Sequence, residues 1–573
     1  MPGIFYLYKE CAMKHIYLLL IMLFQTLAAN SIPAKPGQWK ILTLADGSQV
    51  KAELRGDEFA HYWISEDGAC YAETEKPGIY QPAKLSTMMA KSEKIRSQRA
   101  DYHSKKRTRA IIGGDHEPYV GKKKGLILLV EFQNKKFEED HTPALYNDIL
   151  NKVGFTSDLG FRGSVKDYFL DQSHGQFELD FDVIGPLTMP RTYGYYGANT
   201  QGDDTNPGLM VATACEMADG QVDYHDYDWD GDGEVDQVFV IYAGLGEAAG
   251  GDANTIWPHE WHLQSSDYGK MLTLDDVVID TYACGPELIQ RSYTASSIGI
   301  EGIGTICHEF THCLGLPDMY DTGGGNYGMS SWDLMSSGSY NDGSFSPAGF
   351  TSYERMYCGW QQPVVLQNDT VVTGMKALGE GGDFYIIYND AHPDEYYLLE
   401  NRQKTGWDSG LAGSGLLVLH IDYDEELWMY NLVNNTTSFG GYNGHQRCTV
   451  IPADNSLNPR SDIGTDVFPY GGKDSLTNYS LPRAELYNLN PDGIHYTSKP
   501  ITNIKSEDGL VSFVFQNKVI KKPDPSGIEA VSDSPGRDNP LSPVYDLRGR
   551  MLGTDASSLG KGIYIIGGKK VVK

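Results

Sequence analysis

The pattern of apolar and polar positions divides the chain into segments of different kinds. Residues 30–110 begin with short stretches of alternating polar and apolar residues joined by Asp-Gly turns, which predicts a small β-rich segment. After it, KGLILLVEFQ has the pattern of a buried strand, and further strands are predicted at GQFELDFDVIG and QVFVIYAG. Two stretches between these strands, GSVKDYFLDQSH and GLMVATACEMADG, predict helices. Strands and helices that alternate in this way favour an α/β domain over residues 111–363.

The second half of the chain has a purely β pattern. Residues 364–520 are predicted to form a β-rich domain because their apolar stretches are separated by loops rich in Gly, Asn and Asp. Just before it, Ser346 and Pro347 have the sequence of a helix start, and we expect that helix to run towards Cys358. Residues 521–573 are predicted to be a linker followed by a small β tail. The predicted strands of the β-rich domain are TVVTGMKAL, DFYIIYN, EYYLLENRQ, GLLVLHIDY and LVSFVFQN.

The N-terminus has the features of an export signal. Met13 and a lysine precede the apolar run IYLLLIMLFQTLA, and small residues follow where a signal peptidase would read them. The run is shorter than the roughly 20 residues that span a bilayer, and no later stretch has the required length and apolarity. We therefore predict that translation starts at Met13, that residues 1–29 are a signal peptide, and that cleavage follows Ala28 or Ala29. The mature protein is expected to be secreted or attached to the cell surface, with no transmembrane span.

A basic linker follows the N-terminal β-rich segment. It reads AKSEKIRSQRADYHSKKRTRA, and Lys105, Lys106, Arg107 and Arg109 are natural cleavage points for a trypsin-like protease. A compact segment before a cleavable linker is typical of a pro-segment, so we predict that residues 30–110 keep a zymogen inactive. The alternative is a permanent N-terminal domain on a flexible hinge.

Composition excludes one class of partner. The chain has 573 residues, a formal net charge of −29 and a pI of about 4.8. A chain this acidic repels phosphate backbones, so we expect no nucleic-acid binding. The same acidity suits Ca²⁺, which prefers oxygen ligands.

The most informative motif is HEFTH, from His308 to His312. Histidines four residues apart lie on one face of an α-helix, where two neutral imidazoles can bind one Zn²⁺. Glu309 lies one residue further round the helix, where it can act as general base on a water at the metal. The alternative is an ordinary surface helix that carries two histidines by chance.

The residues after this motif supply candidates for a third zinc ligand. Gly315 can end the helix with a positive φ, and the chain can then turn back to present Asp318. A catalytic zinc site needs three protein ligands and one open position, which Asp318 would complete. The alternative third ligand is Glu354, on the helix predicted further along the chain. Glu354 could instead be a helix-surface charge that pairs with Arg355.

A methionine downstream of the motif fits the same class of site. Met335 lies in the Ser/Gly-rich stretch WDLMSSG, which has the arrangement of the Met-turn of metzincins. Its role there would be an apolar floor beneath the metal. The alternative is that Met335 is simply a core residue. Tyr340 follows Met335 by five residues, so the sequence does not show the Met-x-Tyr spacing of some metzincins.

An acidic cluster predicts a second metal site. In the stretch DWDGDGEVD, carboxylates alternate around a glycine turn, an arrangement in which they can converge on one Ca²⁺. The segment is not a complete EF-hand, because a strand rather than a helix follows it. Without a cation these acids repel one another, so we predict structural calcium; the alternative is a solvated acidic turn. The predicted calcium ligands are Asp228, Asp230, Asp232, Glu234 and Asp236.

Several motifs together resemble one known family. HEFTHCLGLPDMYD, WDLMSSGSY, SPAGFTSYERMYCGW, EYYLLENRQKTGWD and GSGLLVLHID are similar, in this order, to the immune inhibitor A family of secreted bacterial metalloproteases. The resemblance covers roughly residues 111–520 and implies a metzincin-like catalytic domain, a pro-segment, secretion and endopeptidase activity. It identifies His308 and His312 as zinc ligands and Glu309 as the general base. The stretches VYDLRGRML and GIYIIGGKKVVK resemble C-terminal sorting domains of the type IX secretion route.

The sequence therefore predicts a secreted zinc endopeptidase that is made as a zymogen. The predicted fold is an α/β zincin of the metzincin-like class, followed by a β-rich domain and preceded by a small β-rich pro-segment. Its substrates are expected to be proteins or peptides. The alternative function is a surface adhesin or binding protein that keeps a protease-like fold, and the presence of Glu309 argues against it.

Overall fold

The structure is a computed structural model. It describes residues 33–57, 61–74, 76, 78–88, 119–200, 203–291, 297–322, 326–436, 444–456 and 463–516, and the backbone of four short strands near the C-terminus. The chain divides into two compact units, Met1–Gln516 and Asn517–Lys573. Among the helices of these described residues, none is both long enough and apolar enough to cross a membrane. The predicted signal peptide and the basic linker lie outside the described residues.

The first five strands close into a small barrel. Each strand pairs in antiparallel fashion with the next, and the first strand also pairs in parallel with the fifth. Leu42, Ala52 and Tyr80 pack together in the barrel interior. The strands predicted for this segment are therefore present. They are β1 Trp39–Leu44, β2 Gln49–Gly56, β3 His61–Ser65, β4 Cys70–Glu73 and β5 Ile79–Pro82.

A six-stranded, mostly parallel sheet forms the centre of the first unit. Its order is β11-β14-β10-β6-β7, with β15 paired to β14; only β11 and β15 run antiparallel to their neighbour. Its strands are nearly continuous apolar runs because helices or loops cover both faces. The strands of this region are β6 Gly121–Glu131, β7 Phe177–Thr188, β8 Asn199–Thr200, β9 Asp203–Asp204, β10 Val238–Leu245, β11 His259–His262, β12 Leu272–Leu274, β13 Val277–Ile279, β14 Thr281–Gln290 and β15 Ile298–Ile300.

The helices separate onto the two faces of this sheet. Leu126 and Leu128 of β6 share a core cluster with α4, whereas Ile127 and Leu129 share another with α1, α2 and α5. This alternation follows from the two-residue period of a strand. The helices are α1 Pro143–Asn151, α2 Val165–Gln172, α3 Tyr193–Gly197, α4 Pro207–Ala218, α5 Gly304–His312, α6 Ser352–Tyr357 and α7 Glu425–Met429.

One predicted helix boundary is wrong. The helix expected from Ser346 begins only at Ser352, with Thr351 as its N-cap. The Ser346 hydroxyl instead donates to the carbonyl of Trp407, so it does not cap a helix. Thr351 accepts the N–H of Glu354 and forms a capping box with it.

The β-rich region after α6 shares its core with the α/β region. A five-stranded sheet of order β16-β18-β19-β20-β21 packs Leu398 and Leu417 into the cluster that contains α5, and packs Leu399 and Val418 against a second, three-stranded sheet. All five predicted strands are present. The strands are β16 Val364–Val365, β17 Thr370–Met375, β18 Tyr385–Asn389, β19 His392–Arg402, β20 Gly415–Asp422, β21 Cys448–Val450, β22 Ile501–Glu507 and β23 Leu510–Phe515.

The second unit contains a small antiparallel sheet at the positions where the sequence predicts a β tail. Its order is β25-β24-β26-β27. The strands are β24 Val544–Tyr545, β25 Met551–Gly553, β26 Ile563–Ile566 and β27 Lys569–Val572.

Candidate metal centre

Helix α5 is buried along its whole length and carries the two histidines of the HEFTH motif. Phe310, between them, packs against Phe181 and stacks on Phe239 of the central sheet. His308 and His312 are each two residues from Phe310, so they lie on the side of the helix that faces away from the sheet. The helix therefore presents both imidazoles to the loops that follow it.

Two backbone carbonyls fix the orientation of the imidazoles. His308 Nδ1 lies 2.9 Å from the carbonyl of Leu334, and His312 Nδ1 lies 2.8 Å from that of Leu316. Each Nδ1 therefore carries the proton that it donates, which leaves the lone pair of Nε2 for another partner. Both Nε2 atoms face Asp318, whose Oδ1 lies 3.2 Å from the first and 3.6 Å from the second.

A glycine turn brings Asp318 back to the helix. Gly315 has a φ of 85°, and its N–H donates to the carbonyl of His312 at 2.7 Å. Tyr357 donates to the carbonyl of Gly315 at 2.9 Å, and a Cβ added at residue 315 would come within 2.6 Å of that hydroxyl. Only glycine fits both the backbone angle and this close contact.

An asparagine from the β-rich region holds the aspartate in place. Asn431 Nδ2 donates to Asp318 Oδ2 at 2.6 Å, and Asn431 Oδ1 accepts the N–H of Asp318 at 2.7 Å. This pairing turns Oδ1 of Asp318 towards the histidines. Burial raises the pKa of Asp318, but His308 and His312 outweigh burial and lower it overall. No sequence pattern points to Asn431, because it is remote from the motif along the chain.

The predicted Met-turn contacts His308 through the backbone. Met335 is fully buried, its carbonyl accepts the N–H of Met319, and its own N–H donates to Asp333 Oδ1 at 2.7 Å. The neighbouring Leu334 supplies the carbonyl that orients His308. The turn therefore fixes the backbone of Met319, the residue after Asp318, and the imidazole of His308.

The structure places Glu354 in the interior, in the first turn of α6. It is fully buried, so its assignment as a surface charge is wrong. Its Oε2 accepts the N–H of Thr351 at 2.6 Å and the hydroxyl of Thr351 at 3.0 Å. Burial, and next the negative charge of Asp333, raise the pKa of Glu354 well above its usual range. Glu354 thus caps α6, while the histidine nitrogens face Asp318.

Glu309 lies beside the two histidines, and Tyr340 lies on a nearby stretch of the chain after the Met-turn. The carboxylate of Glu309 and the nitrogens of the two histidines lie within 4.8 Å of one another. Burial raises the pKa of Tyr340, and the charges of Glu301 and Glu309 add to this effect. Its hydroxyl donates to the carbonyl of Pro33 at 2.9 Å. The 3₁₀ helix Ser337–Ser344 positions Tyr340, and no spacing rule indicated this.

The acidic cluster forms a tight loop before β10. Carboxylate oxygens of Asp228, Asp230 and Asp232 lie within 4.8 Å of one another. Asp228 accepts N–H groups from Gly231, Asp232 and Gly233, so its side chain organises the loop. The three carboxylates can offer oxygen ligands to one cation.

The other two predicted calcium ligands lie outside this group of three. Asp236 Oδ2 accepts the N–H of Trp229 at 2.6 Å. Burial raises the pKa of Glu234 to about 7, and the charges of Asp280 and Asp236 add to the effect. The structure therefore brings three of the five predicted calcium ligands together.

Comparison with known proteins identifies a catalytic domain in this part of the chain. Residues 118–362 match the family model "Immune inhibitor A peptidase M6, catalytic domain". This match confirms the predicted resemblance for the catalytic domain. It supports a metallopeptidase.

Three relatives with assigned names are similar to part of this chain. The pre-pro-metalloprotease PrtV of Vibrio cholerae is 28% identical over an alignment of 289 residues, and the match covers 42% of this chain and 30% of PrtV. Immune inhibitor A of Bacillus thuringiensis is 29% identical over 258 residues, 39% of this chain and 37% of the relative. A putative secreted metallopeptidase of Arthroderma benhamiae is 26% identical over 238 residues, 35% of this chain and 32% of the relative. The chain thus spans about a third of the length of these relatives.

Proposed function

We propose that this protein is a secreted, zinc-dependent endopeptidase that hydrolyses protein or peptide bonds and is made as a zymogen. The observation that carries the proposal is the convergence of His308 Nε2, His312 Nε2 and Asp318 Oδ1, with separations of 3.2 and 3.6 Å from the aspartate oxygen. Two imidazole nitrogens and one carboxylate oxygen that face one another in a buried site are a ligand set that can hold a metal cation. The family match of the catalytic domain and the relatives named as metalloproteases support the same conclusion.

The donor set fits zinc. Two imidazole nitrogens and one carboxylate oxygen are ligands that Zn²⁺ takes in catalytic sites, and the histidine tautomers leave Nε2 available. When bound, zinc would supply Lewis-acid polarisation of a carbonyl and of water. Asn431 would keep Asp318 oriented for this role through its two hydrogen bonds.

Glu309 is assigned the proton transfers. It lies beside the metal-binding nitrogens and is fully buried on α5. Its carboxylate would accept a proton from the attacking water and then deliver that proton to the leaving amine.

Contacts of the N-terminal barrel support the zymogen part of the proposal. His61 of the barrel stacks on Trp257 with ring centroids 4.6 Å apart, and its Nε2 lies 3.4 Å from Glu247. Arg55 donates to the hydroxyl of Tyr327 at 2.7 Å. The barrel thus packs on loops of the catalytic region, one of which carries Tyr327 between Asp318 and Met335, and a pro-segment held there could limit access of substrate.

The remaining parts of the proposal concern export and calcium. The N-terminal signal-like sequence and the resemblance of the tail to type IX sorting domains support secretion, with release or retention at the cell surface. The grouped carboxylates of Asp228, Asp230 and Asp232 support a structural Ca²⁺.

The test is hydrolysis of casein by the exported full chain after limited tryptic activation. We expect hydrolysis that stops on chelation, returns with Zn²⁺, and is absent in Glu309→Ala. Glu216→Gln, an exposed glutamate on α4, is the matched control and should behave like wild type. Equal hydrolysis by Glu309→Ala, or full activity after exhaustive chelation, would refute the proposal. A folded, zinc-loaded protein that cleaves nothing would favour the adhesin alternative.

A further inference from the structure

The segment 431–434, which follows α7, joins the proposed metal centre to the edge of the β-rich sheet. At its start, Asn431 holds Asp318 through two hydrogen bonds. At its end, the side chain of Asn434 is fully buried and forms hydrogen bonds in two directions. One direction leads to β21, and the other leads to Met319, the residue after Asp318.

The first set of contacts binds Asn434 to β21. Its Oδ1 accepts the N–H groups of Arg447 and Cys448, each at 3.0 Å, and its Nδ2 donates to the carbonyl of Cys448 at 2.7 Å. The carbonyl of Val433 accepts the N–H of Arg447 as well, at 3.2 Å. Because β21 pairs with β20, these contacts tie the segment to the five-stranded sheet.

The second contact fixes the backbone beside Asp318. Asn434 Nδ2 also donates to the carbonyl of Met319 at 2.8 Å, and that carbonyl accepts the N–H of Met329 at 2.9 Å. The N–H of Met319 donates to the carbonyl of Met335 at 2.7 Å. Both backbone groups of the residue after Asp318 are therefore held, one by the Met-turn and the other with the help of Asn434.

The chemistry of the amide explains why asparagine occupies position 434. A primary amide has two N–H donors and an oxygen with two lone pairs. In Asn434 the oxygen faces two N–H groups and the nitrogen faces two carbonyls, so every position is used. A buried group that loses such a partner costs free energy, which makes this arrangement specific for asparagine.

A partly buried asparagine strengthens the same connection from the catalytic side. Asn326 Nδ2 donates to the carbonyl of Asn434 at 2.8 Å and to Asp321 Oδ2 at 2.9 Å. The loop that presents Asp318 is thus bonded to the segment 431–434 at Asp318, at Met319 and, through Asn326, at Asp321.

The candidate ligands therefore reach the site on different supports. The helix that carries His308 and His312 packs on the central sheet through Phe310. Asp318 is held instead by residues that belong to the β-rich region. The separation of the aspartate oxygen from the imidazole nitrogens depends on how firmly these two supports are joined.

We propose that Asn434 is a positioning residue of the metal centre: it fixes the backbone at Met319 to β21 and so holds Asp318 at the two histidines. It acts through Met319 and through the turn that carries Asn431. The proposal rests on the proposed metalloprotease function and adds a residue outside the motif on which the affinity for zinc depends.

The first experiment measures the affinity for zinc. The full chain carrying Glu309→Ala, here called the parent, is stripped of metal and titrated with Zn²⁺ in competition with a chelator of known affinity. Adding Asn434→Ala should weaken zinc binding roughly 10- to 100-fold, the usual effect of removing a group that orients a ligand.

The matched control is Asn490→Ala, because Asn490 has the same kind of environment away from the Asp318 loop. It is buried in the β-rich region, and its amide donates two hydrogen bonds and accepts two. Its substitution should lower the melting temperature and leave the affinity for zinc unchanged. The partners of its side chain are Tyr496, Ser498, Asp492 and Ile494.

The outcomes separate this proposal from the proposed function. If the parent binds no zinc, both proposals fail. If the parent binds zinc and Asn434→Ala binds it equally well, the positioning role is overturned while the proposed function stands. If Asn434→Ala and Asn490→Ala weaken zinc binding alike, the effect is one of general stability, and the positioning role is overturned in the same way.

A second variant, Asn434→Asp, covers the case in which the alanine variant does not fold. Its carboxylate can still accept the N–H groups of Arg447 and Cys448, but it lacks the N–H that is donated to Met319. A negative charge near the site would by itself favour a cation. Weaker zinc binding by this variant would therefore report the lost donor, and unchanged or tighter binding would contradict the proposal.

A third measurement needs no metal. In the metal-free parent, amide hydrogen exchange of the peptide that contains Met319 is compared with that of a peptide from β10. Asn434→Ala should speed exchange around Met319 relative to β10, whereas Asn490→Ala should leave this ratio unchanged. An unchanged ratio in Asn434→Ala would show that Asn434 does not hold this backbone.

Discussion

At the scale of single residues, the geometry of the candidate centre depends on groups that are not candidate ligands but form hydrogen bonds with them. Two backbone carbonyls set the tautomers of His308 and His312, and Asn431 sets the rotation of Asp318. Such supporting hydrogen bonds typically change metal affinity 10- to 100-fold when they are removed. The sequence indicates His308, His312 and Asp318 as candidate ligands because they fall in one short stretch. It cannot show Asn431, whose position depends on how the β-rich region packs.

The first prediction distinguishes the two candidates for the third ligand. We expect Asp318→Ala to lose stoichiometric zinc, because only the two imidazoles of the three proposed ligands then remain. Glu354→Ala should retain zinc but lower the free energy of unfolding by about 1–2 kcal/mol, the usual cost of losing a helix cap. Metal analysis and circular dichroism check both variants. A folded Asp318→Ala that keeps its zinc, beside a Glu354→Ala that loses it, would reverse the assignment.

The second prediction separates binding of zinc from turnover. Glu309→Ala should bind zinc as wild type does, because Glu309 lies next to the ligands on the helix and is not assigned as one. Its kcat should fall by several orders of magnitude, since no other group is assigned the proton transfers. Metal content and casein hydrolysis are measured on the same preparation. Activity near that of wild type would exclude the proposed mechanism.

At the scale of secondary-structure elements, apolar runs were the reliable signal. Strands such as β10 and β20 are continuous apolar stretches between turn residues, and both lie where the pattern predicts them. The start of α6 was predicted wrongly because Ser346 and Thr351 are equally good caps in sequence. A tertiary contact decides between them, because the Ser346 hydroxyl donates to the carbonyl of Trp407 and is not available as a cap. The order of strands in the sheets could not be predicted, because it depends on contacts between distant residues.

The third prediction concerns the loop before β10. Ca²⁺ should raise the melting temperature of the full chain, because it would relieve repulsion among Asp228, Asp230 and Asp232. Asp230→Ala or Asp232→Ala should remove most of this rise, whereas Asp140→Ala, an exposed aspartate outside the loop, should not. Calorimetry after exhaustive chelation and stepwise addition of Ca²⁺ gives the result. A melting temperature that does not change with Ca²⁺ would contradict the proposed calcium site.

The fourth prediction concerns acid stability and the pairing of β19 with β20. Burial alone would raise the pKa of Glu395, but hydrogen bonds from His420, Asn389 and the N–H of Tyr487 lower it to about 2. A lowered carboxyl pKa stabilises the fold above the ordinary value near 4.5, and this stabilisation is lost as pH falls towards 2.

The corresponding variant is Glu395→Gln. At pH 7 its free energy of unfolding should be lower by about 1–3 kcal/mol, because buried donors lose a charged acceptor. Between pH 5 and pH 2, wild type should lose stability more steeply than the variant does. Denaturant unfolding at several pH values measures both slopes, with Glu216→Gln as control. Parallel slopes would show that Glu395 does not titrate as described.

At the scale of the whole molecule, the first unit is held together by cores that cross the predicted domain boundaries. The cluster around α5 includes residues of the β-rich sheet, such as Leu398 and Leu417. Asn431 from the same region holds Asp318, so the candidate centre requires both regions to be folded. The barrel differs in part: Leu42, Ala52 and Tyr80 form a separate interior cluster, and a small cluster joins Leu54 of the barrel to Trp257 of the catalytic region. A segment packed in this way can be removed without opening the main core.

The fifth prediction follows from that difference. The exported precursor should be inactive until it is cut between Lys105 and Ala110, because the barrel and Pro33–Lys35 pack on the catalytic region, where Pro33 accepts the hydroxyl of Tyr340 and Lys35 donates to the carbonyl of Gln290. Cleavage of the linker would let the barrel and this segment leave together, since Ala34 donates to the carbonyl of Gly56 at 2.8 Å.

N-terminal sequencing of the active species and its hydrolysis of casein, followed in parallel during tryptic activation, check this prediction. Activity should rise with the fraction of chains that begin after residue 105. A variant in which Lys105, Lys106, Arg107 and Arg109 are replaced by glutamine should stay latent under the same treatment. Active enzyme whose sequence still begins near residue 30, with no dissociated fragment, would mean that the barrel does not restrain the site.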